Sequence, residues 1–232
     1  MKGQIVETIV FELERKWSAK YLGFVLLSLI LFTNIPTVLM EPPSIISLLR
    51  FSSGLRVTLL YLWVAITFTN SFCKDVEQGV MKDEFSNPLK KSVIFATKFL
   101  ANFLVITIID LLLVMFSSWL AFGSVFLYFV FLVTFVQVAI SFLYAIVSVF
   151  IGITLRNTIA SVMVSLSTYF LESYYLLISG SPFSIEEVFL YLILGNSVKM
   201  ATALPIVMVH IGLPLFLLIF SFVFFTRLLE LD

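Results

Sequence analysis

Thirty-one consecutive residues, 125–155, carry no charged side chain. About twenty apolar residues are enough to cross the roughly 30 Å hydrocarbon core of a bilayer. In lipid every backbone N–H and C=O must be satisfied within the segment or by a neighbouring strand, which favours helices. The run is longer than one crossing needs, so it must tilt, bend or break, and Gly152 is the candidate place. Similar apolar runs recur along the chain, and this pattern makes the expected fold an all-α polytopic membrane protein.

Composition agrees. The residues AVILMFWYC make up 61% of the chain and DEKR only 12%, against about 25% charged in soluble domains. Nucleic-acid binding has no support, because there is no basic stripe. One cysteine, Cys73, excludes an internal disulfide and a cysteine-cluster metal site. The first twenty residues mix acids and bases and show no cleavable-signal pattern.

In chain order, residues 2–20 read as an amphipathic interfacial helix. Ile5, Val6, Ile9, Val10, Leu13 and Trp17 form its apolar face. The expected spans are 21–40, 57–72, 92–120, 125–155, 158–178 and 203–226. Pro42 and Pro43 end the first, and Arg156 and Asn157 separate the fourth from the fifth. Residues 184–195 open with a capping box, Ser184 and Glu187, and are too short to cross a bilayer. They read as an outer re-entrant or interfacial helix. The whole of 1–232 is thus one transmembrane domain.

One connection is different in kind. Residues 72–98 hold nine of the 28 charged side chains. Asp75 is placed to cap a short helix, with Gln78 three residues on, and Asn87-Pro88 stops it. The reading is a short helix over 75–88 between two spans.

Six spans put both termini on one side, together with eleven lysines and arginines, against Arg50, Arg56 and Lys199 on the other. By the positive-inside rule the termini and the 73–91 segment are cytoplasmic, in a multi-pass cell-membrane protein.

Catalytic patterns are missing from the sequence: no Ser/His/Asp set, no HExxH, no GxxxxGK[ST]. The chain is not expected to be an enzyme or to hold a cofactor or metal. Asp110, near the middle of the third span, is either a proton-relay or substrate-contact residue or a structural hydrogen-bonding group. Glu172, in the outer part of the fifth span, carries the same two readings. Gln137 reads as interhelical glue, His210 as a core residue, and Cys73 as a palmitoylation site or a small interfacial side chain.

This arrangement resembles a permease subunit of the type 2 ABC exporters, over the whole chain. That family often shows E-x-E-x-G-T-x-E in the first intracellular segment, then a proline and a later lysine. Here Asp75, Glu77, Gly79, Glu84, Pro88 and Lys98 fit loosely, with Val80 where threonine is usual and Lys82 where an acid is usual. Arg156-Asn157-Thr158 also looks like the opening of the fifth span in that family. The resemblance implies that Asp75, Glu77, Gly79, Val80, Lys82, Glu84 and Pro88 dock a separate ATPase subunit through a coupling helix. It implies ATP and Mg on that partner and pairing with a second permease copy, identical or not. The cargo would be an amphipathic or hydrophobic peptide, drug or lipid-like molecule moved out of the cytoplasm. An ion-coupled secondary transporter using Asp110 and Glu172 is the alternative, as is a non-transporting membrane scaffold or immunity protein.

Overall fold

The computed structural model describes residues 2–29, 55–78, 90–122, 124–125, 127–179 and 212–227. Among them are seven helices and no strand. They are α1 (Lys2–Lys16), α2 (Ala19–Leu29), α3 (Leu55–Glu77), α4 (Lys91–Phe122), α5 (Leu127–Leu155), α6 (Thr158–Ser179) and α7 (Leu213–Arg227). Two of them, α4 and α5, are long and apolar enough to cross a membrane.

The distribution of side chains on α4 suits lipid better than water. Its outer stripe is Leu100, Leu104, Ile108, Leu112, Phe116 and Trp119, all exposed. Its inner side buries Lys98, Asn102, Asp110, Ser117 and Ser118. In water such an arrangement would expose apolar area and bury polar groups at a cost. In hydrocarbon it is the favourable one, because polar side chains turn toward the bundle. Several hydroxyls find partners within their own helix. Ser117 donates to the Leu113 carbonyl at 2.7 Å, Thr154 to Phe150 at 2.7 Å and Ser167 to Met163 at 2.8 Å.

Helix α5 is the hub, packed against α3, α4, α6 and α7. Its C-terminal half presents small buried residues, Ser141, Ala145, Ser148 and Gly152, at helical spacing. Small residues let neighbouring backbones approach closely. At Gly152 the approach is close: a Cβ there would stand 3.2 Å from the Cys73 Cβ on α3. The N-terminal half exposes Leu127, Tyr128, Phe131 and Phe135 instead. Aromatic contacts tie the layers. Tyr61, Tyr144 and Tyr169 join α3, α5 and α6 with ring centroids 4.5–5.4 Å apart. Phe72, Phe95 and Phe225 join α3, α4 and α7. Such pairs are worth about 0.5–1.5 kcal/mol each beyond their burial.

Several boundaries differ from the expectation. The N-terminal helix ends at Lys16, and Ser18 caps a new one, accepting from the Tyr21 N–H at 3.3 Å. Helix α5 continues unbroken through Gly152 to Leu155, so the glycine serves close packing and does not interrupt the helix. It ends at Arg156, whose φ of 53° is left-handed and whose N–H bonds the Gly152 carbonyl at 3.1 Å. That is the αL termination, here made by a non-glycine residue. Asn157 then caps α6, accepting from the Ala160 N–H at 2.9 Å. The expected helix over 184–195, most of the span 21–40, the first part of 203–226 and His210 lie outside the described residues.

Helix α3 carries the main correction. It does not stop at residue 72 and restart under an Asp75 cap. It runs on to Glu77, and the Gln78 N–H still bonds the Lys74 carbonyl at 2.9 Å. Asp75 therefore lies inside the last turns of a long helix. Its carboxylate is held by Lys98 of α4, so it is not free to turn back and cap a helix start.

Candidate functional site

Most of the described polar chemistry collects at one end of the bundle. There α3, α5 and α7 finish, α4 and α6 begin, and α1 lies alongside α4. Two clusters occupy this end, on opposite sides of the final turns of α3.

The first is a buried charged node. Glu12 of α1, Asp75 of α3 and Lys98 of α4 are 1%, 2% and 1% exposed. The Lys98 ammonium pairs directly with the Asp75 Oδ2, stands 3.8 Å from the Glu12 Oε2, and reaches the Ser71 carbonyl at 3.5 Å. Ser71 donates its hydroxyl to Glu12. Asn102 completes the network: its amide donates to the Lys98 carbonyl at 2.8 Å, the Ser71 hydroxyl at 3.1 Å and the Glu12 Oε1 at 3.4 Å. Its Oδ1 accepts from the Trp17 Nε1 at 3.0 Å. Local sequence explains the placement. Lys98 and Asn102 are four apart and share one face of α4, as Ser71 and Asp75 share one face of α3. Breaking a buried ion pair by removing one partner costs about 3–5 kcal/mol, because the remaining charge stays buried. The node therefore links α1 to α3 and α4 in such a way that removing any one of its charges is costly.

The second cluster is exposed at its outer rim. The Glu77 Oε2 accepts from the Thr158 backbone N–H at 3.1 Å and from the Thr158 hydroxyl. Thr158 is the first residue of α6, and its N–H is one of the groups a helix start leaves without an internal partner. A carboxylate is favourable there, at the positive end of the helix dipole. The Thr158 hydroxyl, then its N–H, hold the Glu77 carboxyl below the usual carboxylate range, with a smaller contribution from Lys74. One turn inward, buried Cys73 packs against Gly152, with its sulfur 3.5 Å from the Ser161 hydroxyl. A buried thiol so placed is not open to palmitoylation, which corrects that alternative.

Of the seven residues expected to dock a partner, Asp75 faces inward onto Lys98 and is not presented at a surface. Glu77 is exposed but engaged with α6. Gly79, Val80, Lys82, Glu84 and Pro88 lie outside the described residues. The structure joins Lys98 to the polar segment as its counter-charge. Asp110 and Gln137 are both buried and both engaged inside the bundle. Glu172 stands in α6.

Sequence reasoning missed Glu12, Asn102 and the buried role of Trp17. Glu12 is followed by Leu13 on a helix with acids on several faces. A useful signal was its position between Ile9 and Leu13, on the apolar side of the helix. Trp17 is expected on the apolar face of an interfacial helix; its ring is buried inside the bundle and its N–H feeds the node. Among the described residues no group of three or more His, Cys, Asp or Glu is placed to hold a metal ion. Comparison with protein-family models, with curated proteins and with solved structures gave no significant match.

Proposed function

We propose that this chain is the membrane-spanning permease subunit of an ATP-driven exporter of the type 2 ABC class. It would cross the membrane six times with both termini in the cytoplasm. It would pair with a second permease copy, identical or not, and exchange force with separate ATPase subunits that bind ATP and Mg. The cargo would be an amphipathic or hydrophobic peptide, drug or lipid-like molecule. The observation that carries this reading is the fastening of α3's last turns on two sides, at the point from which the polar 79–89 segment departs. A segment that receives motion from a soluble partner has to be tied firmly into the bundle, and buried charge pairs supply such ties. The polar surface of α4 turned inward, and its apolar stripe turned outward, support the membrane setting.

The test is capture of the tagged chain from its native membrane in mild detergent, with ATP hydrolysis measured on what accompanies it. The reading expects a co-purifying ATPase, and Glu84→Lys, in the expected docking segment, should release it while the permease remains in the membrane. A folded chain that purifies alone would count against it. Buried Asp110 favours one second reading, an ion-coupled transporter. Under it Asp110→Asn abolishes proton-dependent transport. Under the exporter reading ATP-dependent transport survives that change.

A further inference from the structure

We infer that the last two turns of α3 act as a rod gripped on opposite faces, so that the docking of α1 and the docking of the α6 start are one cooperative event. Ser71 and Asp75, four residues apart, hold α1 and α4 through Glu12, Asn102 and Lys98. Cys73 and Glu77, also four apart, hold α5 and α6 through Gly152, Ser161 and Thr158. Two helical positions differ by about 200°, so the two sets point to opposite sides of the same helix. The helix is continuous here, with the Lys74 carbonyl still bonded by Gln78. A rotation or slide of the rod that frees one face therefore strains the other.

The approach of α5 leaves little slack. A Cβ at Gly152 would be closer to Cys73 than most ordinary contacts, and close-packed elements switch between discrete arrangements more readily than they deform continuously. The coupling reaches from Glu12, on the N-terminal helix, to Thr158, 146 residues later in the chain. It goes beyond the exporter reading and holds whether or not an ATPase partner exists.

Cys73 makes the inference measurable. It is the chain's only cysteine and it is buried on the α5–α6 face of the rod. The experiment is the rate of maleimide labelling of Cys73 in the full-length protein, in its membrane, without nucleotide. Glu12 touches the opposite face, yet Glu12→Gln should raise the labelling rate by about tenfold, on the scale of one lost charge-assisted buried hydrogen bond. Thr158→Val should also raise it, by opening the near face directly. The double variant should label at about the product of the two effects, because both contacts hold the same event closed.

Wild-type labelling in Glu12→Gln, or a double variant that labels no faster than Thr158→Val alone, would overturn the inference. So would equal labelling in Phe142→Ala, which loosens the Phe99, Phe103 and Phe142 contacts between α4 and α5 away from the rod, at the same loss of thermal stability. If Glu12→Gln does not fold, Glu12→Asp shortens the carboxylate by one methylene and keeps the charge. It should show the same increase to a smaller degree, and wild-type labelling there would equally overturn the inference.

Discussion

Asp75 and Glu77 are two residues apart on one helix and carry the same functional group, yet they live in different worlds. Asp75 points into the bundle, 2% exposed, against the Lys98 ammonium. Glu77 points outward, where water can reach it, and holds the start of α6 by hydrogen bonds. The difference teaches that the side of the helix, and not the position in the polar stretch, sets what a carboxylate does. On the buried side, low dielectric makes each charge expensive to isolate and the tie strong. On the exposed side, solvent competes with the same chemistry and the tie is weak and titratable.

The largest effect expected from breaking this contrast is on the buried side. Lys98→Met leaves Glu12 and Asp75 facing each other without their shared cation. It should destabilise the protein by about 3–5 kcal/mol, read as a lower midpoint in thermal unfolding in detergent. Adding Asp75→Asn should recover a substantial part. Glu12→Gln should cost less, about 1–3 kcal/mol, since the amide keeps the shape but loses the charge-assisted bonds. It should also appear as faster limited proteolysis within residues 2–29, as α1 loosens from α4.

On the other side, Gly152→Val probes the close approach without touching any charge. The Cys73 Cβ is fixed to the α3 backbone and cannot swing away. Overpacking of this kind costs about 1–3 kcal/mol, measured by the same unfolding midpoint, and Gly152→Ala should cost less than Gly152→Val.

The smallest effect concerns the Glu77 contact. Its folded-state carboxyl titrates below the ordinary carboxylate value, so its contribution is present in full above that ordinary value. It is lost as pH falls through the depressed one. Amide-exchange protection at Thr158, corrected for intrinsic rates, should therefore persist at neutral pH and fade only in acid. In Glu77→Gln it should be reduced at every pH, with little change in the global unfolding midpoint.

Much of the helical framework was legible in the sequence because it rests on local rules. Apolar runs placed the helices α4, α5 and α6 to within two residues of their observed ends. Arg156 and Asn157 stood out as a polar break and proved to be a left-handed stop followed by a cap. The node was not legible. Glu12 and Lys98 are 86 residues apart and meet only after α1 folds back against α4. Asn102 reads as an ordinary polar residue until its four partners are in place. Asp75 misled for a physical reason: cap preferences are worth about 1 kcal/mol, and a buried ion pair outweighs them. The apolar face assigned to α1 also divided on folding. Leu13 and Trp17 turn inward with Glu12, while Val6 and Val10 stay exposed.

In the proposed exporter the polar connection leaving α3 would receive force from an ATPase and pass it into a bundle tied at Asp75 and Glu77. The most direct measurement places a photo-cross-linking residue at position 80 of the full-length chain in its native membrane. Nucleotide-binding chains are marked at the same time with a reactive ATP analogue. The expected result is an adduct that carries the ATP label, reduced by Glu84→Lys. A folded, membrane-inserted chain that cross-links only to lipid, or to chains that take no ATP label, would contradict it.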